Sequence, residues 1–202
     1  MAFARRHGFK LAVTALVLLM AGYLLYAYLP KQEKLPELWD VKDFALTDLD
    51  GEELAFSESA GKVRLVYFFF ASCPDVCPPT TNIASQVQDE LKARGDFGEK
   101  VEFHWISIDP ARDTPEVLQG FANGYGADTT GWHFLRGEGE EIVRIAQEGF
   151  NLGVRTGKPD ELIHSDIIAV VDQDGKVRSY IRGGGDTTLT PERILETIDA
   201  LL

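Results

Sequence analysis

The strongest constraint on this chain is a junction. An apolar and aromatic run, Val63 to Phe70, leads into Ser72-Cys73-Pro74-Asp75-Val76-Cys77-Pro78-Pro79, and Thr80 to Arg94 then shows helical spacing through Ile83, Val87 and Leu91. A strand apolar on both faces belongs in the middle of a sheet covered by helices. A strand that feeds a helix belongs to an α/β fold, and open folds of that class place their sites at the carboxyl edge of the sheet. The junction delivers to that edge the only two cysteines of the 202 residues. Two soft sulfur ligands set four apart at a strand end point to metal or redox chemistry.

The flanking segments extend the pattern. Phe44 to Thr47 and Glu53 to Phe56, split by Asp50-Gly51, predict a short hairpin. Val101 to Ile108 alternates as a strand and stops at Asp109-Pro110. Thr114-Pro115-Glu116 then supplies an N-cap with proline at the first helical position, for a helix reaching Tyr125. Trp132 to Leu135 reads as a short strand and Glu140 to Gln147 as a short helix, followed by an irregular, Gly-containing segment that reaches Glu161 and ends at His164. Ile167 to Val171 and Val177 to Ile181 flank the hairpin signal Asp172-Gln173-Asp174-Gly175, and Thr190-Pro191-Glu192 caps a final amphipathic helix ending at Leu202. Crossover helices imply a partly parallel sheet, and the closing hairpin implies an antiparallel edge. The expected fold is α/β, a thioredoxin-like mixed sheet flanked by helices with an N-terminal β-hairpin.

Arg5, Arg6, His7 and Lys10 precede Leu11 to Leu29, a stretch without a charge. As a single N-terminal transmembrane helix that stretch is long enough for a hydrocarbon core of roughly 30 Å, and the basic residues ahead of it favour an N-terminus-in orientation. No clean A-x-A cleavage pattern follows Met20, which argues for an uncleaved anchor over a signal peptide. The expected organisation is a membrane anchor over 1–30, a linker over 31–43 whose Lys31 to Glu37 stretch is a stalk, and a domain over 44–202 outside the cytoplasm, on the inner membrane of a bacterial cell. Three of the 20 Lys and Arg lie in the anchor and none of the 32 acids does, so the exported part has a formal charge of −15. That balance excludes nucleic acid as a partner class. Gly183-Gly184-Gly185 has no Lys-Ser or Lys-Thr behind it and is no phosphate cradle.

Cysteine binds metal or attacks a disulfide as the thiolate, and the positive end of a helix dipole lowers its pKa. Three residues between Cys73 and Cys77 depart from the two of the compact dithiol redox motif, yet still let a turn aim both sulfurs at one ion. A purely structural disulfide would close so small a loop for only about 2 kcal/mol. Two sulfurs leave a metal under-coordinated, and His164 is the expected third ligand: it lies in the loop before Ile167 to Val171, and in a thioredoxin-like topology the residues leading into that strand face the cysteine loop. His104 and His133 sit within strands among Phe103, Trp105, Trp132 and Phe134 and read as packed histidines. The only methionines, Met1 and Met20, lie outside the domain, which removes a thioether ligand. Two thiolates and an imidazole favour a Cu(I) ion and accept Cu(II) with an added oxygen ligand. Asp75, between the cysteines, reads as a turn residue bonding the backbone. Asp109, Arg112 and Asp113, on the same sheet edge, suit loop bracing and partner steering equally.

With these residues in place the chain resembles the SCO/SenC family of membrane-anchored, thioredoxin-like copper proteins. The resemblance rests on Tyr67-Phe68-Phe69-Phe70 leading into Cys73-Pro74-Asp75-Val76-Cys77-Pro78, on Ser107-Ile108-Asp109-Pro110 with Arg112-Asp113-Thr114-Pro115, and on His164-Ser165 ahead of the last hairpin. It implies copper ligation by Cys73, Cys77 and His164. It also implies delivery of copper to the binuclear copper centre of cytochrome c oxidase subunit II, or reduction of that partner's cysteines. In the second case Cys73 and Cys77 would be the catalytic thiols of a thiol-disulfide reductase and His164 would be dispensable.

Overall fold

The computed structural model describes residues 2–28, 35–157, 162–183 and 189–202, and of these it leaves undescribed the side chains of 2–7, 25–28, 163 and 164. Leu29 and Pro30 of the expected anchor, the stalk up to residue 34, Glu161, and Gly184-Gly185 lie outside the described residues. Two compact units result, Met1–Glu33 and Lys34–Leu202.

The first unit is one helix, α1 (Ala2–Tyr28). Its apolar side chains Leu16, Leu18, Leu19, Met20 and Tyr23 are exposed. The Thr14 hydroxyl donates to the carbonyl of Lys10 at 2.9 Å, so that hydroxyl is satisfied inside the helix. Among the described residues no helix is long and apolar enough to cross a membrane. The expected transmembrane helix over Leu11 to Leu29 is therefore not found among the described residues.

The second unit is built on a six-stranded mixed sheet. In chain order its elements are β1 (Trp39–Asp40), β2 (Ala45–Thr47), β3 (Glu53–Ala55), a 3-10 turn (Phe56–Ser59), β4 (Val63–Phe69), α2 (Cys77–Arg94), β5 (Val101–Ser107), α3 (Pro115–Gly124), β6 (Trp132–Leu135), α4 (Gly139–Arg144) with a π-helical turn (Ile145–Gly149), β7 (Val154–Arg155), β8 (Ile163–His164), β9 (Ile167–Val171), β10 (Lys176–Arg182) and α5 (Pro191–Asp199). The sheet order is β1-β10-β9-β4-β5-β6, with β2-β3 and β7-β8 as separate pairs. β4, β5 and β6 are parallel, while β9, β10 and β1 complete the sheet antiparallel. This is the thioredoxin-like arrangement that the order of elements predicts.

Alternation along the strands divides the core. Leu65, Tyr67, Phe69, Phe103, Trp105, Trp132 and Phe134 face Ala84, Val87 and Leu91 of α2, Leu118 and Ala122 of α3, and Ile194 and Ile198 of α5. Val66, Phe68, Ile106, Ala169 and Val171 face the β2-β3 hairpin and the α4 region through Phe44, Leu46, Phe56, Ile142, Ile145 and Phe150. Each fully buried Val, Leu, Ile or Phe among them contributes about 1.5–3 kcal/mol. Arg64 interrupts the apolar run, yet it is 2% exposed. Its guanidinium lies 4.5 Å from the centroid of Phe56 and donates to the carbonyls of Phe56 and Asp172, which is how the strand accommodates a cation.

Most boundaries follow the turn and cap chemistry. Asp48 Oδ1 accepts from the amides of Asp50 and Glu52 in the β2-β3 turn. Asp172 Oδ1 does the same for Asp174 and Lys176 before Gly175, whose φ of 84° suits glycine. Thr114 caps α3 through the amide of Val117, and Thr190 caps α5 through that of Arg193. α2 begins at Cys77, with Pro78 and Pro79 in a first turn whose N–H groups have no intrahelical partner. Two features differ from expectation. His164 lies in β8 instead of a loop, with Val154 opposite it in β7. Within the stretch read as a linker, Trp39–Asp40 forms an edge strand against Val177 and Lys176 of β10.

Candidate metal centre

The cysteine pair sits where β4 hands over to α2. Ala71, the second residue after β4, donates its amide to Asp113 Oδ2 at 3.1 Å, and the Ser107 hydroxyl at the end of β5 donates to the same oxygen at 2.5 Å. Asp113 is buried, and burial raises its pKa while these two donors oppose the shift. Asp109 pairs with Arg112 in the same loop. These residues therefore brace the cysteine loop. The amide of Cys73 closes the loop onto the carbonyl of Phe70 at 3.1 Å.

Both cysteines are buried thiols, Cys77 fully and Cys73 at 8% exposure. Cys77 is the first residue of α2, at the positive end of the helix. Two effects compete there: the helix terminus favours a thiolate, and burial disfavours it. Burial wins and lifts the Cys77 pKa above the ordinary thiol range, helped by the adjacent Cys73, while a hydrogen bond from Tyr67 and the backbone of Phe70 oppose the rise. Without a metal, Cys77 stays protonated at neutral pH, and an ion binding there must displace the proton.

Tyr67 and Asp166 complete the surroundings. The Tyr67 hydroxyl donates to Asp166 Oδ1 at 2.9 Å, and the Thr80 hydroxyl, in the first turn of α2, donates to the same atom at 3.3 Å. Burial first, then the nearby Cys77 and Asp166, push the Tyr67 pKa far up, so it remains a donor. The amide of Gly183 donates to the Asp166 carbonyl at 2.8 Å, and a Cβ at Gly183 would lie 1.9 Å from Asp166 Oδ1 and 2.6 Å from Thr80 Oγ1. Only glycine lets β10 approach so closely.

Asp166 is two residues beyond His164, and Ile168 of β9 is in register with Tyr67 of β4. The amide of Ser165 is anchored on the carbonyl of Gly153 at 3.0 Å. The backbone thus carries the His164 segment to the strand end that bears the cysteines, while the His164 imidazole lies outside the described side chains. His104 and His133 are brought to each other and to Glu102, away from the cysteines. Sequence reasoning missed Tyr67, Thr80 and Asp166. The signals present were a hydroxyl within the apolar run and the carboxylate that follows His164-Ser165. As for chemistry, two soft thiols and no methionine in the domain suit a low-coordinate soft ion.

The fold and this junction define a thioredoxin-like domain with a cysteine pair at the carboxyl end of its central strand. The SCO1/SenC family model matches residues 35–202, and the chain belongs to that family. It is similar to the SCO1 protein homolog of Bacillus subtilis, 32% identical over 161 residues that span 78% of this chain and 81% of that protein. Among solved structures it is similar to BsSco, a member of the Sco family of cytochrome c oxidase assembly proteins in which a disulfide switch was identified, with 27% identity, a TM-score of 0.71 and 84% and 98% of the two chains covered. It is also similar to Bradyrhizobium japonicum ScoI with copper bound, with 25% identity, a TM-score of 0.64 and coverage of 82% and 100%.

Proposed function

We propose that this chain is a membrane-tethered copper chaperone. It binds copper through Cys73, Cys77 and His164 and delivers it to the binuclear copper centre of cytochrome c oxidase subunit II. The observation that carries this reading is the pair of buried thiols where β4 hands over to α2, tied through Tyr67 and Asp166 to the segment that follows His164. The copper-bound ScoI of B. japonicum and the membership of BsSco in a family of oxidase assembly proteins support it. Copper is cargo here. Cu(I) suits two thiolates and one imidazole, and few ligands make the ion exchangeable with a partner's thiolates.

The organisation that serves this role is an N-terminal anchor segment over 1–30, a linker over 31–43 and the copper domain over 44–202, with the anchor segment holding the domain at the outer side of the bacterial inner membrane. A second reading, thiol-disulfide reductase, is favoured by the hydrogen bond between Cys77 and Cys73 and by the disulfide switch of BsSco. In that reaction the two thiols give up two electrons and two protons to a partner's disulfide and become a disulfide themselves. Cu(I) competition against a chelator separates the two. Loss of copper in Cys73→Ser, Cys77→Ser and His164→Ala alike is the chaperone result. Unchanged copper binding in His164→Ala, with reductase activity toward an oxidised partner peptide, is the reductase result.

A further inference from the structure

Glu102 and His104 alternate onto one face of β5, the face opposite that of Phe103 and Trp105, which pack toward α2. His133 of β6 is the register partner of His104, and the two imidazoles stand side by side with centroids 5.2 Å apart. Glu102 Oε2 lies 3.6 Å from His104 Nε2 and 3.7 Å from His133 Nε2. Those separations are too long for direct hydrogen bonds. They match two ligands sharing one tetrahedral ion, which lie about 3.4 Å apart when each bond is about 2.1 Å. One ligand atom from each of the three residues falls within 4.8 Å of the others.

The polar bookkeeping points the same way. His133 Nε2 is buried without a hydrogen-bond partner, as is His104 Nδ1, and His104 is fully buried. A buried imidazole nitrogen aimed at a carboxylate it does not reach is a costly arrangement for packing alone. The other contacts leave the centre free for an ion. Lys62 Nζ holds the far oxygen, Glu102 Oε1, at 2.5 Å and also donates to the Gly98 carbonyl at 2.7 Å. The Ser59 hydroxyl donates to Glu102 Oε2 at 2.5 Å and lies 3.2 Å from His104 Nε2, bracing the two ligand atoms against each other. Against the upward push of burial, the neighbouring His104 and His133, then Lys62 and Ser59, hold the Glu102 pKa below the carboxylate range, and burial holds the His104 pKa below the ordinary imidazole range, so both are in the form a metal requires. The side chain of His133 is 19% exposed and that of Lys62 29%, which gives an ion a way in.

We propose that Glu102, His104 and His133 form a second metal site for a divalent ion that prefers nitrogen and oxygen ligands, zinc or Cu(II). Two imidazoles and a carboxylate suit such ions and disfavour the soft Cu(I) expected at the cysteines. The site stands on β5 and β6 alone and is independent of the copper reading of Cys73, Cys77 and His164.

The test uses the full chain in detergent, stripped of metal, with Cys73→Ser and Cys77→Ser together so that the sulfur pair contributes nothing. Zinc titration by calorimetry should give one equivalent. His133→Gln, at the partly exposed ligand, should weaken binding at least tenfold with an unchanged circular dichroism spectrum, and Glu102→Gln should do the same. Co(II) in place of zinc should give visible d–d bands without a thiolate charge-transfer band, a readout that needs no variant at the site. Absence of zinc binding in the double-serine chain would overturn the proposal. So would binding that His133→Gln leaves intact, or a Co(II) spectrum of a hexaaquo ion.

Discussion

Tyr67 concentrates the chemistry of the junction in one side chain. Its hydroxyl donates to Asp166 and also opposes the upward shift of the Cys77 pKa. Tyr67→Phe should cost about 1 kcal/mol of stability, read by urea unfolding, because one net hydrogen bond is lost and Thr80 still satisfies Asp166 in part. It should also weaken Cu(I) binding severalfold at neutral pH, because Cys77 becomes harder to ionise. An unchanged copper affinity would reduce Tyr67 to a packing residue. At this scale the sequence was legible only where the contact is local. Cys73 and Cys77 share one strand-to-helix turn, so their proximity could be read from spacing. The bond between Tyr67 and Asp166 depends on the register of β4 against β9, and no local pattern encodes that register. His104 and His133 read as packed histidines because the aromatic residues around them dominate the pattern. Glu102, two residues before His104 on the same face, was the signal that they share a charged neighbour.

Among the elements, α3 and α5 were the most legible, since Thr-Pro-Glu fixes an N-cap and a first turn in three residues. Thr114→Ala should destabilise the domain by about 1 kcal/mol in urea, and Thr114→Ser should restore most of it. The start of α2 was legible as well, since Pro78 and Pro79 suit a first helical turn whose N–H groups have no intrahelical partner. β7 and β8, two residues each, are too short to show a period of two, which is why His164 was expected in a loop.

One ion pair links α2 to the turn before β6: Lys92 Nζ lies 2.5 Å from Asp128 Oδ2, and the amide and hydroxyl of Thr130 donate to Asp128 Oδ1. Lys92 first, then Thr130, pull the Asp128 pKa down to about 2. A carboxylate depressed in the folded state stabilises it above its unfolded pKa, near 4, and that contribution disappears as the pH falls from about 4 toward 2. Because both side chains are partly exposed, the pair is worth at most about 1 kcal/mol. Wild type should therefore exceed Asp128→Asn by up to that amount at pH 7, and the gap should close through the acid range. A gap independent of pH would assign the effect to the turn hydrogen bonds instead.

The whole molecule couples an apolar helix to an acidic domain. Alternation told which faces of the sheet are covered, and the closing hairpin told that one edge is antiparallel. The sequence did not tell that Trp39–Asp40 would join that edge. Two residues next to a charged, proline-containing stretch carry no strand signal, and their pairing depends on β10, more than 130 positions away. If the N-terminal helix is the tether, the full chain should remain with membranes through alkaline carbonate extraction, and a chain starting at Lys34 should be released. Release of both would end the anchoring proposal.

The central claim is that three side chains, distant in order, share one copper ion. X-ray absorption at the copper edge of the Cu(I)-loaded full chain tests it directly. The account predicts a first shell of two sulfurs and one nitrogen that loses its nitrogen in His164→Ala and a sulfur in Cys73→Ser or Cys77→Ser. A shell of sulfur alone, unaltered by His164→Ala, would contradict it.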